Sequence, residues 1–453
     1  MFAFPRSLGP ITGAFASCFS ARLYERLLLL VVGLILAPRR RCVTSALRVV
    51  HPFLDGHFTS YHRILSHAKW SMWRCGRVLA GLVLALIPGD RPVVLAVDDT
   101  VARHNGPKVF GRCCHRDPTR SSHGITVVTW GHRWVVLAVV TTLPFRSRPV
   151  ALPVLAALYR SRAWCEEHHQ RFRIWIEIAR QLSATLMHWF PRRSFILLGD
   201  GGFCSHEMAC FAARHADRLT LITRFYDDAV LRGKPVRKPK YGRGRGQPPK
   251  YGVKLPQPKQ TVVCAKERLA RANVNWYGGA RRDVKLLSGV GGWHRTARPM
   301  PAVRWVYVKD VTGTHREEYL MSTDVTMRPE QIVGLYTLRW PLETTFQEAR
   351  LHLGLETPRQ RCEKSVLRTT PLLLGLFTLV NLIYAKMKPG VWKRWMKWAW
   401  YEKPEPTFAD ALSAVRTALW QSFLLQTPGT PWGTTLKSKN GFLPIIQILS
   451  LAG

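Results

Sequence analysis

Between Tyr336 and Arg350 the sequence sets one acid, Glu343, among Tyr336, Arg339 and Arg350 at spacings of three, four and seven residues. On a helix, at about 100° per residue, those spacings close whole turns and gather the four side chains on one side. A carboxylate so placed can hold a metal ion while neighbouring guanidinium forks grip phosphate oxygens. Such a site needs partner carboxylates. Two candidates end short apolar runs: Asp98-Asp99 follows Pro92–Val97, and Asp200 follows Phe195–Gly199. Hard oxygen donors of this kind suit Mg²⁺ or Mn²⁺. Two such ions about 3.5–4 Å apart activate a water on one side of a phosphodiester and stabilise the leaving oxygen on the other. A 3′-hydroxyl in place of the water would turn hydrolysis into strand joining. The competing reading is an amphipathic core helix with solvated Arg and Glu residues and with Trp340, Phe346 and Leu353 facing inward.

The elements that must position these acids follow from the pattern. Pro92–Val97 is a continuous valine-rich run, as a strand buried on both faces should be. Ile125–Trp130 and Arg133–Thr141 are two further β-rich runs, and Gly131-His132 between them predicts a tight hairpin. A helical stretch is expected over Pro153–Trp189, then a strand over Phe195–Gly199, a helix over Ser205–Ala216 and a fifth strand over Leu219–Thr223. Three meandering strands, a helix, then strands alternating with helices is the order of a ribonuclease H-like mixed sheet with helices on both faces. Its first and fourth strands lie side by side, which would bring Asp99 and Asp200 together. Strands over Thr261–Cys264, Ala302–Lys309 and Glu318–Ser322 mark a β-rich insertion before the last acid. Pro329 opens the helix bearing Glu343, and Pro341 predicts a kink just before that acid. The expected domains are a helical DNA-binding region at 1–88, the core at 89–223 and 326–385, the basic insertion at 224–325, and a helical C-terminal region for dimerisation or DNA contact at 386–453.

Charge decides the partner class. The chain of 453 residues has 67 Lys and Arg against 28 Asp and Glu, a formal charge of +39. The cations are spread over the whole chain rather than beside one apolar span, so nucleic acid is expected and a membrane surface is not. Arg232–Lys259 is dense in Lys, Arg, Gly and Pro and reads as a flexible basic loop. Its Arg232, Lys234, Arg237, Lys238, Arg243 and Arg245 are candidate phosphate contacts. The 10 cysteines include no Cys-x-x-Cys pair, so neither a disulfide framework nor a zinc finger is indicated and a reducing cytosol is expected. The apolar run Leu27–Leu36 is too short to span a bilayer, and the run through Leu372–Tyr384 reads as a buried helix.

With these residues in hand, the chain resembles bacterial insertion-sequence transposases of the DDE class, in the group with a Tyr-Arg-Glu-Lys signature. The signature stands here as Tyr336, Arg339, Glu343 and Arg350, with Arg in the place of the final Lys, followed by Leu353-Gly354-Leu355. Asp99-Thr100, Gly131-His132-Arg133-Trp134 and Asp200-Gly201-Gly202 also resemble the group's motifs, so the likeness covers roughly residues 35–385. The resemblance implies metal ligation by Asp99, Asp200 and Glu343, with Asp98 as the open alternative to Asp99. It implies that Tyr336, Arg339 and Arg350 hold the transposon-end backbone, and Trp340 is a candidate for stacking on a base. It further implies Mg²⁺ (or Mn²⁺) dependence with two ions, terminal inverted repeats and target DNA as double-stranded substrates, and a synaptic homodimer in the bacterial cytoplasm. A stand-alone metal-dependent endonuclease and a catalytically inactive DNA-binding descendant are the rivals.

Overall fold

The computed structural model describes residues 9–38, 40–117, 120–122, 124–235, 251–265, 268–398, 400–426, 446 and 449–451. Arg237, Lys238, Arg243 and Arg245 therefore lie outside the described residues. The chain forms two compact units: one of Met1–Pro88, Asp99–Ile174 and Leu342–Gly453, the other of Gly89–Asp98 and Trp175–Pro341.

The first unit opens with five helices, α1 (Gly9–Gly13), α2 (Ala21–Leu36), α3 (Val43–Val49), α4 (Thr59–Ser66) and α5 (Met72–Leu84), as the helical spacing of the first 88 residues predicts. The run Leu27–Leu36 sits in α2 and is buried almost throughout. At Gly33 an added Cβ would lie 2.5 Å from the Ala46 carbonyl oxygen, so only glycine lets α2 approach α3 this closely. The second half of β1 (Val93–Arg103) follows, with β2 (Cys113–Arg116), β3 (Val128–Leu143) and β4 (Arg146–Tyr159). Their order is β2-β3-β1, and β4 pairs with β3.

This part departs from the sequence reading in three places, the first being that β1 does not end at the acids but runs on through Asp98 and Asp99 to Arg103, extended by its pairing in the sheet. The expected turn at Gly131-His132 is the interior of one continuous strand, and the hairpin closes instead where Leu143 pairs with Arg146. Gly131 is there for another reason: a Cβ would meet the Ala102 carbonyl oxygen at 2.3 Å. Pro153–Tyr159, expected to be helical, completes β4, whose mostly buried residues pair along β3. Burial in a sheet overrides the helical preference of its Ala and Leu residues. Helix formation begins only at α6 (Arg162–Glu167), where the Ser161 hydroxyl accepts from the Trp164 N–H at 3.2 Å.

In the second unit, α7 (Trp175–Trp189) precedes β5 (Phe195–Gly199), α8 (His206–Arg214), β6 (Leu219–Arg224) and the short β7 (Leu231–Arg232). Thr261–Cys264, expected as a strand, is the body of helix α9 (Pro258–Cys264). The reason is local: Pro258 suits the first turn, and Gln257 and Gln260 form a reciprocal cap. Strands β8 (Ala270–Asn275), β9 (Arg281–Trp293), β10 (Ala302–Asp310) and β11 (Glu318–Ser322) then complete the order β1-β5-β6-β11-β10-β9-β7, with β8 on β9. Helix α10 (Pro329–Thr337) lies on these strands, burying Ile332, Val333 and Tyr336 against Leu198, Ile222, Val274, Val306 and Leu320.

Returning to the first unit, α11 (Pro341–Leu353) is followed by α12 (Glu363–Ala385), α13 (Pro389–Arg394), the hairpin β12 (Lys397–Trp398) and β13 (Tyr401–Glu402), and α14 (Phe408–Gln426). Helix α12 is long and apolar enough to cross a membrane, yet it packs on β4, α14, α5 and α4, and 72% of its most apolar window is buried. Its Arg368 guanidinium donates to four carbonyls, of Ile64, Leu65, Ala68 and Trp70, at 2.8–3.2 Å. That fork satisfies carbonyls in the last turn of α4 and in the segment after it, and explains a cation in so apolar a helix.

Candidate active site

Strand register places the acids. In the second unit β1 and β5 run parallel, pairing Val93 with Phe195 through Val97 with Gly199. Asp98 and Asp200 each follow one residue past the last pair, which sets them level where β5 ends, while β1 itself runs on through Asp98 and Asp99 to Arg103. Chemistry in open α/β sheets gathers at such ends. Gly199 is required for the approach, since a Cβ would sit 2.9 Å from Phe203 Cβ and 3.4 Å from Thr223 Cγ2. Asp200 then caps the turn Gly201–Phe203, its Oδ1 accepting from the Gly202 N–H at 2.9 Å. Trp175 ties the same turn down by donating its indole N–H to the Gly202 carbonyl at 3.0 Å.

Arg339 reaches Asp98. Its Nη1 donates to Asp98 Oδ2 at 3.0 Å, and both side chains are mostly buried. The guanidinium lies 6.0 Å from the Tyr336 ring, which is only 2% exposed. Burial also raises the Tyr336 hydroxyl pKa, so this group stays protonated. The predicted break is present, but the signature is not aligned on one helix: α10 ends at Thr337 and α11 starts at Pro341, so Tyr336 is on α10, Arg339 in the intervening turn, and Glu343 and Arg350 on α11. Trp340, in the intervening turn, is 48% exposed and meets Tyr277 edge to face at 5.9 Å. Beside Tyr336 is a cavity of about 250 Å³ lined by Trp276, Tyr277, Asp310, His315 and Glu318 among others. Arg232 is engaged at the base of the basic loop, donating to the Gly252 carbonyl at 3.3 Å, while Lys234 is exposed.

In the first unit, Asp99 is gripped by Arg133, whose Nε and Nη2 each donate at 2.7 Å to a separate carboxylate oxygen. This two-pronged pair is the strongest geometry open to the two groups. Arg133 is absent from the residues a composition-based reading singles out, and only its place beside Gly131-His132 marked it. Glu343 occupies the first turn of α11, where the helix dipole favours a carboxylate. Thr345 fixes that turn by donating its hydroxyl to the Ala151 carbonyl at 2.8 Å. Arg350 donates to the Thr100 hydroxyl and, at 3.3 Å, to Glu356 Oε1.

His132 shares this neighbourhood and is 1% exposed, with its Nε2 2.8 Å from the Phe110 carbonyl. Burial, with lesser contributions from His104 and His115, lowers its pKa to about 4. An unfolded histidine titrates near 6.5, so between about 6.5 and 4 the unfolded chain binds more protons than the folded one. The contribution of His132 to stability should fall on acidification through that window and level off below it. Denaturant titrations at stepped pH should show a slope there, and His132→Gln should reduce it, with His62, His104, His115 and His206, also lowered by desolvation, supplying the rest.

Two carboxylates are thus brought level in one unit, and Glu343 stands on a helix of the other; among the described residues no group of three His, Cys, Asp or Glu side chains is gathered for a metal. The carboxylates of Asp98 and Asp200 fit a hard divalent cation, and the guanidinium at Asp98 shows that this position accommodates positive charge. Adjacent acids on strands flanking a divalent ion are the equipment of phosphodiester cleavage. The family described as DDE superfamily endonuclease matches residues 14–283. The chain belongs to this family. The matched span holds Asp98, Asp99 and Asp200 and stops short of Glu343. Among solved structures, a piggyBac transposase synaptic complex with hairpin DNA aligns over 96% of this chain and 80% of that one, at 12% identity and a TM-score of 0.39. A likeness at that level is too slight to bear on fold or function. No curated protein matches the chain significantly.

Proposed function

We propose that this DDE-family endonuclease is a transposase of the bacterial insertion-sequence type with the Tyr-Arg-Glu-Lys signature, acting on the ends of its element and on target DNA. The observation that carries this reading is the level placement of Asp98 and Asp200, with Arg339 of the signature on Asp98. Asp200 and Glu343 would hold Mg²⁺ or Mn²⁺ together with one aspartate of the pair Asp98-Asp99. The register supports Asp98, and the Arg133 fork favours a positioning role for Asp99, holding β3 against β1. Bound there, two ions would supply an activated water or 3′-hydroxyl and neutralise charge on the leaving oxygen. Arg339 and Arg350 would take up phosphates of the transposon end once DNA competes for their present partners, and buried Tyr336 would support Arg339 from beneath. Trp340, half exposed, is available to stack on a base. The N-terminal helices would bind the terminal repeats and the basic loop would hold flanking phosphates. Catalysis would take place within a synaptic homodimer in the bacterial cytoplasm.

The reading separates cleanly from a stand-alone endonuclease. Pre-cut element ends incubated with Mg²⁺ and a supercoiled plasmid should yield joined products. Cutting without any joining would leave the endonuclease reading in its place, and binding without cutting would favour the inactive descendant.

A further inference from the structure

Between α12 and α14 lies a stretch whose sequence shows only that it is rich in Trp and Lys. Its root is firmly held. The Trp392 indole N–H donates to the Tyr384 carbonyl at 2.8 Å, and Trp395 is 5% exposed. The Lys403 N–H donates to the Met396 carbonyl at 2.8 Å, closing the hairpin, and its ammonium donates to both oxygens of Asp410 at 2.7 and 2.9 Å. Glu405 accepts from the Ser147 N–H at 2.8 Å and lies 3.9 Å from Arg146 Nε.

The tip is the reverse of the root. Trp400 is 86% exposed and Tyr401 54%. An indole carries the largest apolar surface of any side chain, and leaving it in water on a braced hairpin forgoes its full burial. In the same stretch Lys386, Lys388, Lys393, Arg394 and Lys397 are all exposed, with no ion pair among the described residues, and Lys397 lies opposite Glu402 in the hairpin register. From Lys386 to Pro406 the only acids are Glu402 and Glu405, and the second is already taken up by Ser147 and Arg146. An exposed aromatic plane in a stretch where exposed cations outnumber acids is complementary to a polyanion that presents flat faces.

We propose that the β12–β13 hairpin is a DNA contact in which Trp400 stacks on a base freed from the duplex stack while Lys393, Arg394 and Lys397 hold the adjoining phosphates. The ligand is DNA with unpaired or unstacked bases, such as a strand junction or a frayed end, rather than intact duplex. This rests on the reading of the protein as one that acts on DNA. Neither the carboxylates nor the signature helices take part, so the contact is separable from cleavage.

The test is fluorescence anisotropy with a labelled forked duplex bearing single-stranded arms and with a blunt duplex of equal length. Wild type should favour the fork. Trp400→Ala should lower fork affinity about tenfold, the range of one lost base stack, and leave blunt-duplex affinity unchanged. Trp400→Phe should keep most of the preference. The triple change Lys393→Ala, Arg394→Ala and Lys397→Ala should weaken both substrates and reduce the salt slope by about 3. Fork affinity in Trp400→Ala equal to wild type overturns the proposal alone. Wild type that binds neither substrate overturns it together with the DNA-acting reading. A Trp400→Ala protein that falls from dimer to monomer by light scattering, with fork preference intact, overturns it in favour of a second copy as the occupant.

Discussion

Glu343→Gln should lower Mg²⁺-dependent cleavage of a duplex carrying the element's end by at least about 10³-fold while leaving affinity for that duplex unchanged. The amide keeps the shape and the place of the side chain in the first turn of α11 but withdraws the charge that holds a divalent ion, a loss of several kcal/mol of transition-state stabilisation. Asp200→Asn should behave alike. The paired aspartates give the sharper comparison. If the register assigns the ligand, Asp98→Asn should abolish cleavage and weaken Mn²⁺ binding followed by its paramagnetic signal, whereas Asp99→Asn should bind Mn²⁺ normally and lose stability through the broken Arg133 fork. The opposite result, with Mn²⁺ binding lost only in Asp99→Asn, would return the role to Asp99. Full cleavage by Glu343→Gln would remove the third acid from the site altogether.

Affinity for DNA should fall by about 10³-fold or more between 50 and 200 mM salt. A protein that neutralises several phosphates releases their counterions, and each contributes about 0.9 to the slope of log affinity against log salt. The charge of +39 is spread over the chain, so no single Lys or Arg change should remove more than about one unit of that slope. A flat titration over this range would mean that the cations serve solubility and not a polyanionic partner. The same measurement guards the cleavage comparison, because a variant tested at too high a salt would fail to bind and mimic a catalytic loss.

Which features were legible in the amino-acid sequence follows from how far each depends on distant residues. Asp200 just past the end of β5, the break at Pro341, the helical first 88 residues and the strands ending at Gly199 and Thr223 or its neighbour rest on period, on proline's missing donor and on short apolar runs. Net charge needs no structure at all. The misread elements are those where local and distant preferences conflict. Gly131 carries the mark of a turn, yet its bareness admits the Ala102 carbonyl. The Ala and Leu residues before Tyr159 favour a helix, yet pairing with β3 makes them a strand. Thr261–Cys264 is β-branched, yet Pro258 and a glutamine cap begin a helix.

By itself, then, the sequence determined the net charge and which acids are candidates for the chemistry, because charge and residue type are properties of single residues and short runs. Only the tertiary structure decided how those acids are placed. Alternation along β1 turns Asp98 and Asp99 to opposite faces, and the register with β5 sets Asp98, not Asp99, level with Asp200. Arg339 goes to the first aspartate and Arg133 to the second. Register between strands a hundred residues apart is fixed by the packing of both faces at once, and no local pattern encodes it.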